Sequence, residues 1–137
     1  RYMNWEGSIL LDSMVYFLTG FEPDAQSASA TLAPRLPNAW PEMKWSDLRV
    51  GDRRFDLLVE ELGGERRIQI TPQAGTELTV HLSVPLPEVE LHRITVNDNP
   101  LAADDYTTWS PFGQTRIVLP GMLVSVAEPL LVSIEYD

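Results

Sequence analysis

The apolar residues between Ser8 and Leu18 are spaced as in a helix, and they are too dense for a helix that meets solvent along one whole side. Gly20 followed by Phe21 is typical of a helix that stops at a glycine and packs the next hydrophobic residue. The pattern therefore predicts one helix within residues 1–20 that is buried on more than one side.

The spacing changes twice after this helix. Residues 21–41 carry four prolines, which predicts an extended connector with one short edge strand near residues 31–36. From residue 42 onward, apolar and polar residues alternate in short runs with turn residues between them. The runs lie at residues 48–50, 55–59, 68–70, 78–84, 89–96, 116–119, 123–126 and 130–136. These runs, about eight in number, predict a mainly β protein with an antiparallel β-sandwich over residues 42–137.

Individual residues predict how the strands begin and end. Gly63-Gly64 is typical of a two-residue hairpin, because glycine adopts positive φ freely. The regular alternation over residues 78–84 predicts a strand that Pro85 and Pro87 end. The apolar phase shifts near His92, which predicts a β-bulge there.

The composition excludes several classes of function. A length of 137 residues suits one domain, and the net charge of −10 repels phosphates and anionic lipids, so we expect no nucleic acid and no membrane as partners. With no cysteine, the chain has no disulfide and no thiolate metal site. The longest uncharged apolar stretch, residues 13–21, is far shorter than the ~20 residues of a membrane span. We therefore expect a soluble protein and favour the cytoplasm.

Few residues could support catalysis. The sequence has no nucleophile elbow, phosphate loop or zinc-protease helix, and His81 and His92 are expected on solvated strand faces. Glu6 is the one carboxylate whose position, just ahead of the helix, suits a catalytic role. Glycoside cleavage generally takes two carboxyl groups, and the enzyme hypothesis would pair Glu6 with either Asp104 or Asp105. We predict no catalytic residue in this chain, with Glu6 as the candidate to test, and no cofactor.

Acidic side chains gather in one loop. Asp98, Asp104 and Asp105 supply the hard oxygen ligands that calcium prefers. The loop lacks the glycine and the terminal glutamate of an EF-hand, and Asx-rich turns form without an ion because their side chains bond their own backbone. We predict no metal and keep these three residues as the calcium candidates.

Three aromatic residues, Tyr106, Trp109 and Phe112, crowd a neighbouring loop. An exposed aromatic platform would suit the apolar faces of sugars, so these residues are the sugar-binding candidates. The alternative is a loop that folds over the end of the sandwich and buries its own aromatic rings. Both hypotheses stay open at this point.

Two basic pairs, Arg53-Arg54 and Arg66-Arg67, flank the predicted hairpin and are expected to lie side by side across it. Carboxylates in the same neighbourhood favour local ion pairs over a basic binding surface. The expected acidic partners are Asp52, Glu60, Glu61 and Glu65.

Two stretches of the chain resemble six-hairpin glycosidases, the α/α-barrel enzymes that include glycogen-debranching-like and glucoamylase-like proteins. Residues 1–11 (RYMNWEGSILL) and 20–25 (GFEPDA) are similar to the end of the last helical hairpin of such barrels. Residues 32–37 (LAPRLP), Trp40-Pro41 and residues 48–51 (LRVG) resemble the β-rich C-terminal region that follows. Together these matches cover about the first 60 residues, and their motifs are moderately specific.

The resemblance implies a non-catalytic C-terminal domain of a larger carbohydrate-active enzyme, which supports and docks on an upstream helical barrel. Residues 1–20 would then belong to that barrel, which the start at Arg1 without a methionine also favours. The alternatives are a carbohydrate-binding module that uses the aromatic loop, or a stand-alone protein-interaction domain. Separated from a barrel, the helix is expected to form a homodimer through residues 8–21, and removal of residues 1–20 is expected to leave a folded, monomeric sandwich.

Overall fold

The computed structural model describes residues 13–137, with Pro120 described by its backbone alone. Helix α1 occupies residues 13–19 of this range, and the strands that follow form two sheets whose inner faces share one core. The mainly β, sandwich-like architecture with one preceding helix confirms the predicted fold class. No helix described within residues 13–137 is long and apolar enough to cross a membrane.

Eleven strands follow α1 within the described residues. They are β1 (Glu22–Asp24), β2 (Ser29–Leu32), β3 (Glu42–Val50), β4 (Arg53–Glu61), β5 (Glu65–Ala74), β6 (Leu78–Pro87), β7 (Leu91–Val96), β8 (Asn99–Pro100), β9 (Thr107–Trp109), β10 (Gln114–Val124) and β11 (Leu130–Tyr136). The five-stranded sheet has the order β1-β2-β6-β10-β9, and the six-stranded sheet has the order β3-β4-β5-β11-β7-β8. The pairs are antiparallel, except that β2 runs parallel to β6.

Alternation along the central strands builds the core. Successive side chains of a strand point to opposite faces, so every second residue of β6, from Leu78 to Leu86, lies buried between the sheets. The same alternation buries Phe55, Leu57 and Val59 of β4 from the opposite sheet. Helix α1 adds Leu18 to the edge of this core.

The segment over residues 21–41 differs from the extended connector expected there. It contains β1 and β2, and the edge strand expected near residues 31–36 lies at Ser29–Leu32, inside the sheet between β1 and β6. The parallel pairing of β2 with β6 joins residues far apart in sequence, so local alternation carries no signal for it.

The two runs expected at residues 116–119 and 123–126 form one strand, β10, that ends at Val124. Its register against β6 shifts between Leu119 and Met122, where two residues of β10 face one residue of β6. This β-bulge reverses the inward phase of the strand, so its apolar pattern looks like two strands. A Cβ on Gly121 would lie 2.9 Å from side-chain atoms of both His81 and Thr79, so a larger residue at the bulge would require these side chains to shift.

Pro85 and Pro87 lie within β6, although they were expected to end it. The amide of Thr79 points toward β2, because it donates to the carbonyl oxygen of Ala28 at 2.9 Å. The two prolines stand an even number of residues further along, so their missing N–H groups fall on the same side. Strand β2 pairs with β6 only as far as Leu32, so neither proline costs a ladder hydrogen bond.

Other local predictions are confirmed. Gly20 has φ 58°, and its amide donates to Tyr16 O at 2.7 Å, the αL stop expected at the end of α1. Gly63 and Gly64 have φ 68° and 94°, and they connect β4 to β5 as the two-residue hairpin requires. His92 has no partner in the β7–β11 register and forms the expected bulge.

Candidate functional site

Helix α1 is attached to the sandwich by its last turn. Leu18 and Thr19 are buried, and their carbonyl oxygens accept hydrogen bonds from the amides of Arg35 and Ala33 at 2.7 and 2.8 Å. Carbonyls at a helix end have no partner within the helix, so the chain after β2 satisfies them. The end of the helix is therefore held by both apolar burial and backbone hydrogen bonds.

The other side of α1 is an apolar surface, which we call the helix face and define as Met14, Tyr16 and Phe17. All three side chains are exposed, and together with Ser13 they line a surface cleft of about 700 Å³. Polar groups border the helix face. The Arg35 guanidinium lies 5.6 Å from the centre of the Phe17 ring. The Tyr16 hydroxyl donates to Glu22 Oε1 at 3.2 Å.

A second surface lies on the outer face of the five-stranded sheet, on strands β6, β9 and β10. We call it the aromatic cleft, and its volume is about 460 Å³. Its lining residues are Ser83, Trp109, Pro111, Phe112, Gln114, Arg116 and Val118. Trp109 stands directly opposite Arg116 in the β9–β10 register, so the indole and the guanidinium share the outer face.

Phe112 stands at the tip of the turn that enters β10. It has φ 51° and ψ 43°, a left-handed conformation that is uncommon for a bulky residue, and its side chain is fully exposed. The turn closes when the amide of Gln114 donates to Pro111 O. The ring of Phe112 is thus held away from the core on a short, closed turn.

The three aromatic candidates therefore separate. Trp109 and Phe112 lie together in the aromatic cleft, whereas Tyr106 is half-buried against the core and lines a different cleft with Asp104 and Asp105. Tyr106 therefore fits the hypothesis of a loop that buries its own rings, whereas Trp109 and Phe112 fit the exposed platform. The polar members of the cleft were missed, because Ser83 and Arg116 meet only through the β6–β10 register.

The acidic loop places its carboxylates in separate structural roles. Asp98 lies in the turn between β7 and β8 with φ 65°, and Asp105 Oδ2 accepts a hydrogen bond from the Ala102 amide at 2.8 Å. Asp104 and Asp105 belong to a short 3-10 turn at Ala103–Asp105. Across residues 13–137, no three His, Asp or Glu side chains are grouped so that they could hold a metal ion.

The two histidines lie on different strands, His81 on β6 and His92 on β7. His81 is exposed on the outer face of β6, and His92 Nε2 lies 2.7 Å from Asp137 Oδ2 at the end of the chain. Glu6 lies outside the described residues. Its role, alone or with Asp104 or Asp105, stays a prediction.

The two basic pairs lie at opposite ends of β4–β5, which corrects the expected side-by-side arrangement. Arg54 faces Ala74 at one end of the hairpin, and Arg66 faces Glu61 at the other. Local ion pairs form with Asp52, Glu61 and Glu65 as expected, and with Asp47 instead of Glu60. They join Arg53 to Asp52, Arg54 to Asp47, Arg66 to Glu61 and Arg67 to Glu65.

A polar cluster closes the sandwich end near this hairpin. Glu61 Oε2 accepts hydrogen bonds from Arg66 Nε at 2.9 Å and from the Tyr136 hydroxyl at 2.6 Å. Burial, followed by the hydrogen bond to Glu61, raises the pKa of Tyr136 to about 12. On the outer face, hydrogen bonds from Ser133 and then Arg67 lower the pKa of Glu65. Tyr136 and Glu65 thus make hydrogen bonds that stabilise this end of the sheet, and neither residue lines the aromatic cleft.

A scan against protein-family models finds no match to this chain, and a search of curated proteins finds no similar sequence. The resemblance to six-hairpin glycosidases therefore stays a prediction.

Proposed function

We propose that this chain is a non-catalytic β-sandwich domain of a larger carbohydrate-active enzyme, where it docks on a helical domain through the helix face. One observation carries the docking role. Helix α1 is attached by Leu18 and Thr19, while Met14, Tyr16 and Phe17 on its other side are exposed.

The helix face has the composition of an interface. Burying one large apolar side chain is worth about 1.5 to 3 kcal/mol, so exposed Met14 and Phe17 leave a substantial driving force for association. Interfaces commonly combine an apolar centre with a polar rim, and Arg35 and Glu22 supply such a rim here.

The partner is proposed as a helical domain for two reasons. An apolar stripe on a helix packs well against the grooves of other helices. The segments that resemble six-hairpin glycosidases also run from residues 1–11, ahead of α1, through residues 20–25 to the strands that follow. This resemblance supports the carbohydrate-active parent and the docking of a β domain on its barrel.

Self-association of the purified chain tests whether the helix face docks. We expect the chain to form a homodimer by light scattering, because a second copy can cover the same apolar surface. Met14→Gln with Phe17→Gln should give a monomer, since glutamine keeps helix propensity and removes the apolar contact. The matched control is Leu123→Gln with Val126→Gln, because Leu123 is 62% exposed, close to the 63% of Phe17, and should leave dimerisation unchanged.

Two results would contradict the docking role. One is a wild-type chain that stays monomeric at the highest concentration tested. The other is a helix variant that associates as strongly as the control variant. Circular dichroism of each variant separates lost association from lost folding.

A further inference from the structure

We propose that the aromatic cleft binds a neutral oligosaccharide. The site lies on the outer face of the five-stranded sheet and uses no residue of α1, so it extends the function beyond docking. Its test is also independent of the self-association test.

The first argument is the backbone of Phe112. A fully exposed phenylalanine ring is not stabilised by burial, and a φ of 51° is a sparsely populated conformation that costs free energy. Pro111 on one side and Gly113, with φ 72°, on the other hold the turn in this shape. Because the turn already holds the ring in place, little conformational entropy is lost when a ligand binds to it.

The second argument is the pairing of rings with polar groups. Trp109 is 54% exposed and borders the same cleft as Phe112, so two aromatic surfaces are available to the apolar C–H faces of pyranose rings. Arg116 Nη1 donates to Ser83 Oγ at 2.9 Å, which fixes the guanidinium beside Trp109. A guanidinium has five N–H donors, so most of them remain for hydroxyl oxygens of a ligand.

The third argument is the charge around the cleft. Gln114 offers an amide that both donates and accepts, as adjacent sugar hydroxyls require. Glu88 places a carboxylate oxygen beside the turn, 3.9 Å from the position of a Cβ on Gly113. One cation and one nearby anion on a chain of net charge −10 favour a neutral ligand over a phosphate or an acidic polymer.

The size of the cleft agrees with a short stretch of sugar. A volume of about 460 Å³ falls within the range of small-ligand sites, and the open outer face of a sheet lets a chain extend past it. A shallow site with two exposed rings predicts weak binding, with dissociation constants of about 1 mM.

Isothermal titration of the full chain with maltohexaose, cellohexaose and xylohexaose tests the proposal. At least one should bind with millimolar or tighter affinity. Phe112→Ala and Trp109→Ala should each weaken binding about tenfold, because each removes one stacking surface. Leu123→Ala is the matched control, since Leu123 is exposed on the same sheet outside the cleft, and its affinity should equal that of the wild type.

Phe112→Ala keeps the test decisive if Trp109→Ala fails to fold, because the Phe112 ring is fully exposed. Two outcomes overturn the proposal. One is no heat and no tryptophan fluorescence change with any of the three sugars, and the other is sugar binding that survives both aromatic substitutions.

Discussion

Tyr136, at the end of the sandwich, is expected to make the stability of the protein depend on pH. Its hydroxyl donates to Glu61, which also accepts from the buried Arg66. The phenol must stay protonated to donate, and its ionised form would face the Glu61 carboxylate. Burial and this contact therefore favour the neutral phenol in the folded state.

We expect the unfolding free energy to fall as pH rises from the ordinary tyrosine pKa of 10.0 to the folded value of about 12. The unfolded chain loses its phenol proton first in this window, so it binds fewer protons than the folded state and stability decreases. Below pH 10.0 the contribution is complete. Urea unfolding at several alkaline pH values measures this slope.

Tyr136→Phe should lose about 1 kcal/mol near neutral pH, because the hydrogen bond to Glu61 is gone, and should show a shallower alkaline decline. Tyr16→Phe, on the exposed side of α1, is the matched control and should keep the wild-type slope. An unchanged slope in Tyr136→Phe would assign the alkaline loss to other groups.

The aromatic loop marks the limit of sequence reasoning at the residue scale. Composition and spacing identified Tyr106, Trp109 and Phe112 together, because all three lie within a few residues of each other. Their separation depends on the register of β9 against β10 and on the φ of one residue. Neither quantity leaves a local pattern, so the sequence could name the rings but not their grouping.

At the scale of elements, α1 has two sides with different roles. Val15 and Leu18 lie three residues apart and pack against the core, whereas Met14 and Phe17 are exposed. The sequence predicts a helix that is buried on more than one side, whereas the sandwich buries only one side of the described helix. Val15, Leu18 and Thr19 form the side that meets the core, and Met14, Tyr16 and Phe17 form the helix face.

Leu18→Ala should lower the unfolding free energy by about 2 to 5 kcal/mol, because Leu18 is only 7% exposed and its removal leaves a cavity beside the core. Phe17→Ala, its matched control one residue away, should cost less than about 1 kcal/mol while reducing dimerisation. Thermal unfolding at low protein concentration measures both. Equal losses in the two variants would contradict the division of α1 into two sides.

This division also changes the expectation for removal of residues 1–20. The truncated chain would lose Leu18, Thr19 and their backbone bonds to Arg35 and Ala33. We expect it to be less stable than the full chain, whereas the sequence alone predicted only that the sandwich stays folded and monomeric. The sequence pattern identified the helix and its glycine stop, but the buried contact depends on the distant segment after β2.

Long alternating runs predicted the long strands because their side chains meet a core on one face. Strands β1, β2, β8 and β9 have two to four residues each, which is too short for a period to be detected. Strand β10 looked like two strands because its bulge reverses the phase. The missed strands β1, β8 and β9 therefore depend on pairing rather than on local pattern, and β2 was expected only as an edge strand a few residues further along.

At the scale of the whole molecule, strand order could not be predicted. Strand β6 lies between β2 and β10, and β11 lies between β5 and β7, so neighbours in the sheets are distant in sequence. The long-range pairing of β6 with β10, together with the local pairing of β9 with β10, creates the aromatic cleft. The proposed sugar site therefore depends on topology as well as on residue type.

If the aromatic cleft binds sugar as proposed, we expect binding without cleavage. Glycosidases place two carboxyl groups about 5 to 9.5 Å apart across the scissile bond. Among the described residues, no carboxylate lines the aromatic cleft, and the Glu88 carboxylate lies beside its turn. Asp104 and Asp105 line other clefts with Tyr106 and Leu101.

We therefore expect no release of product when the purified chain is incubated with aryl-glucosides or malto-oligosaccharides, even at concentrations that saturate the aromatic cleft. The Glu6→Gln variant is the matched control, because it removes the one catalytic candidate that the sequence offered while keeping its size. Turnover by the wild type that disappears in Glu6→Gln would establish the competing enzyme hypothesis. Sugar binding that is equal in both chains, with no turnover in either, would separate recognition from catalysis.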